Sequence, residues 1–142
     1  MFYYLKTKFT LIFLLLFLAG FSQKIKSEVF EVSFKKFEKK EIDFFGKKQF
    51  VYTGIIKVKS KDFQKGLYRF YLPIMDGEIS HLTIRDAEDK ILQPRLYYDK
   101  EKTSFKFYQG TEKESSEKVK SDASTKELIL SGMLIWLKLN KK

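Results

Sequence analysis

The run Val51-Tyr52-Thr53-Gly54-Ile55-Ile56-Lys57-Val58-Lys59 is followed by a polar turn and then by Gly66-Leu67-Tyr68-Arg69-Phe70-Tyr71-Leu72-Pro73. Both runs are rich in β-branched and aromatic residues and partly alternate, which predicts two strands. Pro73 has no N–H to give to a ladder, so the second strand is expected to stop there. After Asp76-Gly77 a third strand carries Ile79, Leu82 and Ile84, and the polar tip Arg85 to Lys90 turns the chain into a fourth that begins Ile91-Leu92. Strands following one another at this spacing form a β-meander, and the fold class that follows is all-β.

Toward the N terminus, Ile42 to Phe50 reads as a hairpin in which Gly46 supplies the positive φ of a tight turn. Phe44 and Phe45 are adjacent and would point to opposite faces, so that either one is exposed or both are covered between two sheets; burial is the expectation in so aromatic a chain. Glu28 to Phe34 forms an earlier strand with Phe30, Val32 and Phe34 on one face and Glu31 and Ser33 on the other. The charged stretch from Lys35 to Glu41 is expected to be a loop or a frayed strand end.

The first residues read as a targeting segment. Lys6 and Lys8 precede the apolar run Phe9 to Leu18, which closes on Ala19 and Gly20. A positive start, a short apolar run and small residues make a secretory signal peptide over residues 1–22, with cleavage after Ser22. The run falls short of the ~20 residues that span a bilayer. No cysteine lies near the cut, so no lipid is attached there, and the expected location is secreted or periplasmic.

Toward the C terminus, Ile91 to Tyr98 continues as a strand interrupted by Pro94, which implies an edge or a bulge. Ser104 to Tyr108 alternates Phe105 and Phe107 against Ser104, Lys106 and Tyr108. Residues 111–126 are almost entirely Ser, Thr, Glu, Lys and Asp, and such a stretch predicts a flexible polar loop. Leu128 to Leu139 is the most apolar part of the mature chain. Apolar residues fall on every side of a helical wheel, which argues against an amphipathic helix. The stretch is expected to be the last strand, bulged at Gly132 or turning at Ser131-Gly132, and its other reading is a segment 128–139 that adds a strand to a partner's edge.

Composition bounds the rest. Twenty-eight basic residues against 18 acidic give a net charge of +10, which falls to +8 once Lys6 and Lys8 are removed. All basic residues but Arg69, Arg85 and Arg95 are lysine, interleaved with glutamate, a pattern of ordinary solubility more than of a polyanion reader. An anionic polysaccharide or a membrane surface stays open as a partner; nucleic acid is disfavoured by export. The chain has no cysteine and one histidine, His81, so cysteine nucleophiles, cysteine-held clusters and His/Cys zinc sites have no ligands. The carboxylates Asp76/Glu78 and Asp86/Glu88/Asp89 fall in turns, where Asp bonds its own backbone. No cofactor is implied.

The sequence therefore predicts one domain over residues 23–142, an antiparallel β-sandwich of seven to nine strands, immunoglobulin-like or related. Its expected function is that of an exported, non-enzymatic binding or structural module with a protein partner at an edge strand or at segment 128–139. A carbohydrate or small-ligand module is the second reading, using an aromatic surface drawn from Tyr97, Tyr98, Tyr108 and Trp136. A hydrolase built on the turn carboxylates is the third.

Overall fold

A computed structural model describes residues 24–27, 29–60, 66–109 and 113–140. The signal peptide expected over residues 1–22 lies outside the described residues. The described chain forms one antiparallel sheet and one helix. The strands are β1 (Lys24–Lys26), β2 (Phe30–Phe44), β3 (Lys47–Ser60), β4 (Gly66–Met75), β5 (Glu78–Ile79), β6 (His81–Arg85), β7 (Ile91–Asp99), β8 (Ser104–Gln109) and β9 (Lys113–Lys118), followed by α1 (Thr125–Leu139). They pair in the order β1-β2-β3-β4-β6-β7-β8-β9, with the short β5 beside β4. The meander read from Val51 to Leu92 thus extends to the whole domain. The sheet is not closed: β1 and β9 each keep one unpaired side among the described residues.

The sandwich expectation is corrected at this point. The antiparallel strands are there in the expected number, but they make a single sheet, and its second layer is a helix. Leu128 to Leu139, expected as a strand, is nearly all of α1. Its start is fixed by Ser124, whose side-chain oxygen accepts the N–H of Glu127 at 3.2 Å, satisfying one of the free donors of the first turn. Its end is closed by Asn140, whose backbone N–H and side-chain amide both donate to the Trp136 carbonyl.

The core explains why this helix is apolar nearly all round. Leu128, Ile129, Leu130, Met133, Ile135, Trp136 and Leu137 are all buried, together with Val32, Ile56, Val58, Phe70, Leu72, Leu82, Ile84, Leu96, Phe105 and Phe107 from one face of the sheet. α1 reaches Ile25 and Phe30 near one edge, Tyr68 and Leu82 in the middle, and Phe105 near the other edge. Eight paired strands at about 4.8 Å spacing span more than 30 Å, whereas a helix with its side chains is about 10 Å across. One helix can meet both ends of such a sheet only if the sheet curls round it as a trough.

Local irregularities shape the trough. Phe34 pairs Ile56 and Lys36 pairs Ile55, so Lys35 is an extra residue that bends β2. The bulge lets Phe34 and Phe37 share the inner face with rings 5.1 Å apart. Past this bulge β2 continues, paired with β3, through the charged stretch expected to be a loop or a frayed strand end. Pro73 does not stop β4: it stays opposite Val51 of β3, and on the other side, where its carbonyl accepts the Ser80 N–H, it falls between the β6 ladder, which ends at Tyr71, and the β5 ladder, which starts at Ile74, so its missing N–H faces a gap. Pro94, by contrast, lies in the irregular stretch of β7 between Leu92 and Leu96, as its sequence context implies. The polar segment expected as a flexible loop holds β9, which pairs with β8 along its whole length.

Candidate functional site

The four aromatics singled out from the sequence do not form one surface. Tyr97 pairs with Lys106 in the β7–β8 ladder and Tyr108 follows two residues on, so both stand on the outer face, 41% and 53% exposed. Tyr98 faces inward against Phe105, with ring centroids 5.5 Å apart. Trp136 is 6% exposed and packs on Tyr68 inside the trough; its Nε1–H is buried with no hydrogen-bond partner. The outer pair lies on the outer face of the sheet, flanking Lys106, whose ammonium sits 3.1 Å from Asp99. That carboxylate also accepts the Lys102 N–H, and this bond together with Lys106 holds it below the usual carboxylate range.

The turn carboxylates also stay apart. Asp86 Oδ1 accepts the N–H groups of Glu88 and Lys90, both at 2.9 Å. Asp76 accepts an N–H from the side chain of Gln49 on β3, Nε2 at 3.5 Å, while its backbone N–H donates to Gln49 Oε1 at 3.0 Å. Among the described residues no three His, Cys, Asp or Glu side chains come together as metal ligands would. His81 is half-buried with its Nδ1 3.0 Å from Ser80 Oγ. Burial, with Arg95 and Arg85 nearby, pushes its pKa below the ordinary value of 6.5.

What the fold does build is a cleft where the two edges of the trough approach over the helix. Its volume is about 580 Å³, and its walls come from three distant segments: Ser27, Val29 and Phe30 ahead of and at the start of β2, Glu117 to Lys120 at the end of β9, and Ser131, Leu134, Ile135 and Lys138 of α1. A smaller hollow of about 280 Å³ continues along the helix between Ile25, Lys120, Glu127 and Ser131. The least buried stripe of α1, Glu127, Ser131, Leu134 and Lys138, is the side that faces this seam; these positions recur at three- and four-residue spacing, which keeps them on one side of the helix.

The cleft has an apolar floor and a charged rim. Val29, Phe30, Val119, Leu134 and Ile135 supply the floor, and Lys118, Lys120 and Lys138 stand round it with Glu117. Lys138 is 3.3 Å from Glu117 and Lys120 is 3.7 Å from Asp122. Lys118 makes no ion pair among the described residues, so the rim carries positive charge beyond what its acid neutralises. The edge strands beside the seam are short and lysine-bearing, Lys24-Ile25-Lys26 on one side and Lys113 to Lys118 on the other, a composition that discourages pairing with another chain.

The helix side of the cleft lies within segment 128–139, which the sequence put forward as a partner-binding strand, whereas the residues of the two sheet edges were missed because none carries a local mark of function. The one signal available was Ser124-Thr125-Lys126-Glu127, a Ser-x-x-Glu spacing directly ahead of an apolar run, which announces a helix start. Placing a helix there would have turned the C-terminal apolar stretch into the filling of a curved sheet. No helix among the described residues is long and apolar enough to cross a membrane. Compared with known proteins, the chain matches no family model, no curated protein and no solved structure at a significant level.

Proposed function

We propose that the protein is an exported, non-enzymatic binding module of the periplasm or cell surface, and that its cleft takes an amphipathic anion: an apolar chain with a negatively charged head. The observation that carries this reading is the cleft between the sheet edges, floored by Val29, Phe30, Val119, Leu134 and Ile135 and rimmed by Lys118, Lys120 and Lys138. A concave apolar site with a few polar groups at its mouth is the usual form of a small-molecule site, and about 580 Å³ falls within the common range of such sites. Export rests on the leader Met1 to Ser22, and the non-enzymatic reading on the lack of cysteine and of a metal-type cluster among the described residues. A partner strand laid across the seam is the second reading, favoured by the two open edges that border it and opposed by their lysines.

Isothermal titration with laurate, an apolar chain bearing a carboxylate, tests the proposal. Laurate binds the wild type. Dodecyltrimethylammonium, the same chain with a cationic head, binds at least about tenfold more weakly, as does laurate to the Leu134→Arg variant, a difference of about 1.4 kcal/mol. Leu134 is partly exposed at the cleft while packed on the core, so binding by the variant is read on protein whose circular dichroism matches the wild type. Equal binding of the two head groups, unchanged binding by the variant, or no binding of laurate to the folded protein each overturn the ligand reading.

A further inference from the structure

The β2–β3 hairpin ends in a surface that the cleft does not use. β4 pairs with β3 as far as Phe50↔Ile74, and the turn beyond it still reaches the buried Gln49 through Asp76, so the last pairs, Asp43↔Lys48 and Phe44↔Lys47, form the end of a two-strand ribbon that projects past the sheet. The loop is Phe45-Gly46, with φ values of 51° and 79°. Two residues with positive φ make the tight turn that suits a hairpin, and Asn, Asp or Gly are the residues that hold it at least cost. Phe at the first position is therefore unfavourable twice over. Its backbone is in the left-handed region, and its ring is 93% exposed to water. The ring is also not isolated: Phe44, 48% exposed, meets it edge to face at 4.6 Å, and Phe50, 40% exposed, lies further down the other side of the ribbon.

Lysines surround these rings. Lys39 sits 4.5 Å from the Phe50 centroid, and Lys40, Lys47 and Lys48 flank the ribbon. Four lysines stand beside three acids, Glu38, Glu41 and Asp43: Lys40 is 3.3 Å from Glu38, Lys48 keeps 83% side-chain exposure even in its 3.5 Å pair with Glu41, and Lys47 makes no ion pair among the described residues. A hollow of about 400 Å³ lies at the base of the ribbon between Lys47, Lys48, Phe50, Ile74 and Gly77, and Phe44 and Phe45 stand outside it. The tip they form is shaped to enter something soft and apolar, and its charge suits a negatively charged boundary.

We propose that this tip docks the protein on an anionic lipid bilayer, with Phe44 and Phe45 entering the headgroup–acyl boundary and Lys47, Lys48 and Lys40 at the headgroups. The dimensions agree. Two residue pairs at about 3.3 Å each, capped by the turn, give a projection of about 7 Å, and interfacial segments reach about 5–10 Å into that boundary. Aromatic rings and lysines at one boundary supply the two signals, apolar burial and headgroup attraction, that together give stable peripheral binding.

Co-sedimentation with vesicles of phosphatidylcholine alone, and of phosphatidylcholine with phosphatidylglycerol, tests this. The protein is used as recovered from an exporting cell, its N terminus fixed by mass spectrometry. Wild type is expected to bind the anionic vesicles and not the zwitterionic ones. The Phe44→Ser/Phe45→Asn variant, whose asparagine suits the turn and preserves the wild-type melting temperature, is expected to bind at least about tenfold more weakly, as is the Lys47→Glu/Lys48→Glu variant. A Phe45→Trp variant adds a second readout, a blue shift of its added emission on mixing with anionic vesicles. Equal binding to both vesicle types, no binding to either, unchanged binding by the Phe variant, or a tryptophan that stays solvent-exposed each overturn the proposal. Because the tip variants alter no cleft residue, laurate titration of the same proteins reports on the cleft separately.

Discussion

Gly54 shows how one residue lets two strands meet closely at a bulge. A Cβ there would fall on the Lys36 carbonyl, at the β2 bulge, and against the Phe70 ring. Glycine lets the two strands approach where the extra residue Lys35 bends β2, and lets Phe37 lie across the gap toward Phe70, with ring centroids 6.1 Å apart. A methyl group must push backbone aside, so Gly54→Ala is expected to destabilise the protein by about 2–3 kcal/mol, read as a lower urea midpoint. Gly77 offers the contrast: an added Cβ meets nothing within 4 Å there, so its positive φ of 79° is the only obstacle to replacement.

His81 makes a prediction about pH at the same scale. Burial and the neighbouring Arg95 and Arg85 hold its pKa below 6.5 in the folded protein. The unfolded chain then binds the proton first as pH falls, so stability declines from just above 6.5 downward, through the window between the two pKa values. The expected outcome is an imidazole that titrates below 6.5 by NMR, and a His81→Gln variant that loses this part of the decline. The carboxylates with lowered pKa values, Glu38 between Lys36 and Lys40 and Asp99 beside Lys102 and Lys106, act in the same direction but at more acid pH. A pKa for His81 at or above 6.5 contradicts the burial argument.

Among the elements, α1 is where sequence and structure part most sharply. The meander was legible because its strands alternate and its turns carry Gly and Asp. The same holds for β8, where Phe105 and Phe107 are buried as the alternation implies, and for the hairpin turn at Gly46. The helix was not, because the rule that a surface helix shows a polar face presupposes a flat partner. In a trough the helix is covered on three sides and only the seam stripe is spared. β9 was illegible for the opposite reason: Lys-Glu-Ser-Ser-Glu-Lys has no apolar residue, and its order comes from pairing with β8. The Ser124 cap gives the test. Ser124→Ala should remove about 1 kcal/mol and lower the melting temperature by about 4 °C for a domain of this size. No change in melting temperature would mean that the first turn of α1 contributes little to the fold.

For the whole molecule, the site exists only after folding. Segments near residues 30, 118 and 135 are each unremarkable in sequence, and curling of the sheet brings them to one seam. That is why candidate residues chosen for aromatic character, Tyr97, Tyr98, Tyr108 and Trp136, were divided between an outer face and the core. The same topology leaves the β2–β3 ribbon projecting past the sheet, so the cleft and the Phe44–Phe45 tip are separate surfaces of one trough. The direct measurement is amide NMR of the folded protein during titration with laurate. The account predicts shifts concentrated at Val29, Phe30, Lys118 to Lys120 and Ser131 to Lys138, with Val51 to Val58 unmoved. Shifts centred on Tyr97 and Tyr108, or none at saturating laurate, would contradict it.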